Sequence, residues 1–205
     1  MRRRIHCLFR CSAIICTLAL FSLALPLSVR AYPVPPEHHA SYSVIGAPTV
    51  SAAFIDQVLS AYHSPATGKG QVLYNEGIKY GIDPAFALAF FMHESSFGTA
   101  GVAQYTLSLG NLRCISNAAC QNGYAAFPSW DAGIDAWYSL IRNLYINTWG
   151  LTTVEEIIPR YAPSSDNNND AAYINGVESA IDAWRGQQTT VPLAPGNGQI
   201  PATTP

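Results

Sequence analysis

The chain has 205 residues, 49% of them hydrophobic and 12% charged, with a formal net charge of −2. That balance excludes an intrinsically disordered chain and allows at least one packed core. Five of the eleven basic residues lie within the first 30 positions and all thirteen acids follow them, leaving the rest of the chain at −7. Such a surface excludes a nucleic-acid or polyanion binder that works through a basic patch.

The N-terminus carries Arg2, Arg3, Arg4 and Arg10, then runs apolar and uncharged from Cys11 to Val29. Val29-Arg30-Ala31 has the small-x-small pattern of a cleavage point, so residues 1–31 read as a signal peptide and the chain as secreted or wall-associated. A retained membrane anchor is the alternative. Residues 32–49, with Pro33, Pro35, Pro36 and Pro48, read as an extended linker, and residues 187–205 as a disordered tail. Residues 50–186 suffice for one compact domain without internal repeats.

Within that domain the period is mostly helical. Ser51 can cap a helix through Tyr62, with Phe54, Val58 and Tyr62 on one face. A second helix runs from about Gly70 to Tyr80 with Val72, Leu73 and Ile78 inward, and Gly81 ends it. Asp83-Pro84 starts a third as an N-cap acid before proline, and Gly98 is the nearest residue able to close it in a left-handed turn. Asn111 to Phe127 lacks helical period, and Asn122-Gly123 predicts a two-stranded flap. Ser129 or Asp131 opens a fourth helix with Ile134, Trp137, Tyr138, Ile141, Leu144 and Tyr145 on its apolar face. Thr152 or Thr153 with Glu155 or Glu156 offers a capping box for a short helix that must yield at Pro159. The last helix runs from about Asp170 to Arg185, inward through Tyr173, Val177, Ile181 and Trp184, with Gly186 after it. Trp130, Trp137 and Trp184 read as core. The fold class is mainly α with a small β-hairpin.

The third helix, Ala85-Phe86-Ala87-Leu88-Ala89-Phe90-Phe91-Met92-His93-Glu94, is apolar on nearly every face, which implies burial. It delivers Glu94 at its negative end. Apolar neighbours and the helix dipole both disfavour the carboxylate, raising its pKa. An acid held protonated near neutrality is what glycosidic bond cleavage requires of its general acid. His93 points to another side of the helix and takes no part. Ser95 and Ser96 beside it form no nucleophile elbow. Asn111 and Arg113 offer donors to sugar hydroxyls and acetamides, Tyr124 and Phe127 offer stacking faces, and Asp166 in the Asn-rich loop is a second carboxylate candidate. Cys7, Cys11 and Cys16 fall in the signal. The remaining pair, Cys114 and Cys120, is expected to form a disulfide in an exported chain. No metal site is expected, His38-His39 reading as solvated tail, and no cofactor is implied.

The segments HESSFGTAG, LSLGNLRC and YAPSSDNNNDAAYINGVESAIDAW, in this order, resemble the bacterial glucosaminidase family of peptidoglycan hydrolases, within the lysozyme-like superfamily. The resemblance runs from about Ala52 to Gly186. It implies a lysozyme-like helical domain in which Glu94 is the catalytic acid and Tyr161 stands in the cleft as a second catalytic residue. The expected partner is peptidoglycan or a related N-acetylglucosamine polysaccharide, cut at β-1,4 bonds in the endo-β-N-acetylglucosaminidase manner. A lytic transglycosylase or muramidase of the same superfamily, and a non-catalytic glycan-binding module, remain alternatives.

Overall fold

A computed structural model describes residues 42–164 and 168–191. Signal peptide, His38-His39 and Asp166 lie outside these residues.

Among the described residues, six α-helices, a π-helix and one two-stranded sheet pack around a seventh, buried α-helix. Helix α1 (Ala52–Ala61) is capped by Ser51, whose Oγ accepts the Phe54 N–H at 3.2 Å. Helix α2 (Gly70–Tyr80) ends at Gly81 in the left-handed region. Helix α3 (Pro84–Ser95) buries ten of its twelve residues and forms the axis of the core. A short turn of helix, α4 (Ala103–Thr106), leads to the strands β1 (Ala119–Gln121) and β2 (Tyr124–Ala126). They pair antiparallel around Asn122-Gly123, both at positive φ, as a tight hairpin turn requires. Helix α5 (Trp130–Leu140), capped by Ser129, runs directly into a π-helix (Ile141–Thr148). Helix α6 (Val154–Tyr161) starts in a complete Thr153–Glu156 capping box, and α7 (Asp170–Arg185) lies along α3.

Asp83 does more than cap α3. It is almost fully buried and accepts hydrogen bonds from Ala85 N, Thr49 N and Thr49 Oγ1, besides pairing with Arg185 at 3.1 Å. One carboxylate thereby ties the N-terminal segment, the start of α3 and the end of α7 together. A buried charge persists only when satisfied in this way.

Five local expectations are corrected. Residues 42–49 are not a free linker: Tyr42 and Val44 are buried, and bridges join Ser43 to Thr153 and Ile45 to Ile82. At the other end the described tail residues remain attached, since Tyr62 Oη both accepts from and donates to the Val191 backbone. Ile78 is 57% exposed, because α2 packs through Gly70, Leu73 and Gly77 instead. A Cβ on Gly77 would stand 2.6 Å from the Pro84 ring, so that close approach turns Ile78 outward. The fourth helix widens into a π-helix at Ile141, which brings Tyr145 and Ile146 inward together and leaves Leu144 half-buried. Finally, α6 continues through Pro159, forgoing a bond to the Glu155 carbonyl, and ends at Tyr161.

Candidate active site

Glu94 occupies the last turn of α3, where helix carbonyls lack intrahelical partners. The chain leaves the helix through three consecutive positive-φ residues, Ser96, Phe97 and Gly98, rather than at Gly98 alone. Two of these are not glycine, and such backbone persists only where its surroundings enforce it. Phe97 is fully buried, its carbonyl accepting from Ser64 Oγ at 2.7 Å. Ser95 Oγ donates to the Leu109 carbonyl at 2.8 Å and accepts the Gly98 N–H at 2.8 Å. The helix end, the left-handed turn and the Ser108–Leu112 loop are therefore one fixed unit beneath Glu94.

Three side chains define the electrostatics of the acid. Tyr173 Oη, reaching across from α7, donates to Glu94 Oε1 at 2.7 Å. Asn111, held at φ 46°, donates through Nδ2 to the Glu94 backbone carbonyl. That carbonyl demands a donor, which orients the amide and leaves Asn111 Oδ1 buried and unpaired. Burial pushes the Glu94 carboxyl up to about 7, against the opposing pull of hydrogen bonds from Tyr173 and Asn111 and the Arg113 charge. Desolvation outweighs the three together. The residue keeps partial solvent access, which a proton donor needs.

Tyr161 also lies within range of the Glu94 charge, but its hydroxyl is committed elsewhere. It donates to the Gly110 carbonyl and accepts from Trp137 Nε1 at 3.0 Å. The tyrosine hydrogen-bonded to the acid is Tyr173, while Tyr161 stands beside it with its hydroxyl held by Gly110 and Trp137. Its close seat depends on Gly110, where a Cβ would meet Trp137 Cδ1 at 2.3 Å and Tyr161 Oη at 2.8 Å. Burial and the Glu94 charge hold both tyrosines well above the ordinary phenol range, so they stay neutral donors.

His93, set aside in the sequence, enters indirectly. Its ring stacks on Tyr173 at 4.8 Å and presses against Gly176, where a Cβ would stand 2.4 Å from Cε1. Burial lowers its pKa and keeps it uncharged. It therefore buttresses the tyrosine that holds the acid.

The flap supplies a second rim. Arg113 lies over the Tyr124 ring at 4.8 Å, and the Cys114–Cys120 disulfide closes the loop behind them. Phe127 is half-buried, packed on the core beside Gly133. Tyr173 and Tyr145 are the site residues that sequence reasoning missed. Both sat on apolar helical stripes and read as core, although a tyrosine placed among aliphatics still needs a partner for its hydroxyl.

Among the described residues no group of three or more His, Cys, Asp or Glu stands together as a metal site. An open recess of about 670 Å³ beside α1, lined by residues including Asp56, Gln57 and Thr67, shares no residue with the Glu94 cluster. Compared with known proteins, the chain matches no family model and no curated protein.

Proposed function

We propose that this protein is an exported glycoside hydrolase of lysozyme-like architecture that cleaves β-1,4 bonds in peptidoglycan strands, of the endo-β-N-acetylglucosaminidase type. The reading rests chiefly on Glu94, a carboxyl with a pKa near 7 at the end of a buried helix and anchored through one oxygen. With Tyr173 donating to Oε1, the acid proton belongs on Oε2, free for the glycosidic oxygen of the substrate. Once the proton is given up, the new carboxylate keeps the Tyr173 bond and the nearby Arg113 charge.

The groups that act on the titration of Glu94 among the described residues include no second carboxylate. The oxygen of the substrate's own 2-acetamido group is the nucleophile this arrangement suits. It closes on C1 as the C1–O bond breaks, and water then opens that ring to give a reducing end. The same observation suits a lytic transglycosylase, in which a muramic hydroxyl replaces water, and a muramidase shares the acid. A glycan-binding module has no use for a carboxyl tuned to neutrality, which favours the enzyme readings over it.

The test is clearing of purified sacculi by the native chain and by Glu94→Gln, with matched circular dichroism. General acid catalysis contributes roughly 10²–10⁴-fold, and a loss of that size is expected. Native-like clearing by the variant removes Glu94 from the chemistry.

A further inference from the structure

Among the described residues most large aromatic side chains are hidden, with Trp137 and Trp184 fully buried and Trp130 half-buried. Trp149 is different, being 47% exposed. It sits directly after the π-helix on backbone that is tied down at three successive points. Trp149 N donates to the Leu144 carbonyl, Gly150 N to Ile146, and Leu151 N to Tyr145, all within 3.0 Å. This exposed indole is therefore presented from a fixed frame.

Its other contacts lead back to the acid. The Trp149 ring packs at a steep angle on Tyr145, centroids 4.9 Å apart, and Tyr145 lies 6.0 Å from Tyr161. Tyr161 in turn packs on Phe90 at 5.3 Å, and Phe90 on Tyr173 at 5.9 Å, whose hydroxyl holds Glu94. The Glu94 charge also reaches Tyr145, whose phenol burial and that charge push up to about 12. A continuous row of rings thus begins at the carboxyl and comes out to solvent at Trp149.

We propose that Trp149 is a sugar-stacking platform, binding the apolar C–H face of a pyranose in an N-acetylglucosamine-containing strand at a subsite remote from the bond that Glu94 cleaves. A pyranose ring presents hydroxyls at its rim and C–H groups on its faces, so it needs a flat apolar partner that remains wet at the edge. A half-exposed indole on a hydrogen-bonded backbone, braced on one side by Tyr145, meets that need. The exposed half of the indole gains nothing from the fold, whereas an aromatic anchor orders few rotamers on binding. The inference rests on the glycan-cleaving reading and adds the position of a distal subsite to it.

The experiment uses the inactive Glu94→Gln chain as host, so that binding is read without turnover, and chitooligosaccharides of two to six units as probes. Calorimetric titration should show affinity rising with length. Adding Trp149→Ala should weaken hexamer binding by about five- to tenfold while leaving the dimer nearly unchanged. Trp149→Phe, which keeps a flat ring on Tyr145, should stay within about threefold of the host. In the active chain, Trp149→Ala should raise KM on long strands with kcat retained. If Trp149→Ala binds every length as the host does, the platform is overturned, and sacculus clearing by the native chain leaves the glycan reading standing. If the host binds no oligosaccharide and the native chain clears no sacculi, both fail together.

Discussion

Tyr173 donates its phenolic hydrogen to Oε1 of Glu94 at 2.7 Å across 79 residues of sequence. The bond joins the end of α3 to the first turn of α7, and it distinguishes two otherwise equivalent carboxyl oxygens. It also favours the ionised acid, in opposition to burial. Replacing Tyr173 by Phe removes that opposition and should move the basic limb of the pH–rate profile to higher pH. A bond to a charged group is worth about 1.5–3 kcal/mol, and kcat should fall about tenfold as the acid loses its orientation. The profile on sacculi, measured from pH 4 to 9, checks the direction. An unmoved limb would show that Tyr173 does not govern the acid.

Glu94 should also make the fold sensitive to pH. Its pKa is raised from 4.5 in the unfolded chain to about 7 in the folded one. Below 4.5 both states are protonated and burial exacts nothing. Between 4.5 and 7 the unfolded chain ionises first, so stability falls as pH rises, and above 7 the full penalty is present. Given the partial exposure of the residue, that penalty is on the order of 2 kcal/mol. Glu94→Gln should accordingly be more stable than the native chain at pH 8 and about equal to it at pH 4. Urea unfolding at both pH values reads the difference, and a gap that is the same at pH 4 as at pH 8 would contradict it.

Gly110→Ala tests the seat of Tyr161. The added methyl meets Trp137 Cδ1 at 2.3 Å, within a fully buried indole's contact surface. Over-packing of this kind costs about 1–3 kcal/mol. Thermal unfolding should show the loss, together with a fall in activity as the loop beneath Glu94 shifts. Native stability would mean that the loop has slack that the packing does not suggest.

The Cys114–Cys120 pair closes a loop of only five intervening residues behind Arg113. Short loops constrain the unfolded chain least, so Cys114→Ser with Cys120→Ser should cost about 2 kcal/mol. Alkylation of the unreduced protein followed by mass spectrometry should find neither thiol free. Quantitative labelling of both would dissolve the bridge and the expectation of export with it.

Much of this was legible locally. The Asp83-Pro84 start, the Ser51 and Ser129 caps, the Thr153–Glu156 box and the Asn122-Gly123 turn each depend on residues within one turn of each other, and each is found. Glu94 was legible for a similar reason, since a helix apolar on all sides announces its own burial. The parts that were hidden depend on tertiary contacts. Tyr173 and Tyr145 occupy positions that a helical period assigns to core; only the packing of α7 along α3 brings the Tyr173 hydroxyl onto the acid, and only the tertiary fold brings Tyr145 within reach of its charge. Ile78 faces outward because α2 meets the start of α3 through Gly77, a residue with no hydropathic signal. Residues 42–49 look like linker in the sequence because a short extended edge in a proline-rich stretch shows too little alternation to reveal its pairing. His93 illustrates the same limit: adjacency on one helix said nothing of a stacking partner that arrives from another.

The most direct test of the central claim is the chemistry of the ends that the protein leaves. Digested sacculi, analysed by mass spectrometry with and without borohydride reduction, should yield muropeptides with reducing N-acetylglucosamine ends, and Glu94→Gln should yield none. Reducing N-acetylmuramic ends would assign a muramidase instead. Predominant 1,6-anhydro-N-acetylmuramic ends would contradict hydrolysis while keeping Glu94 as the acid, and intact strands with bound protein would contradict catalysis altogether.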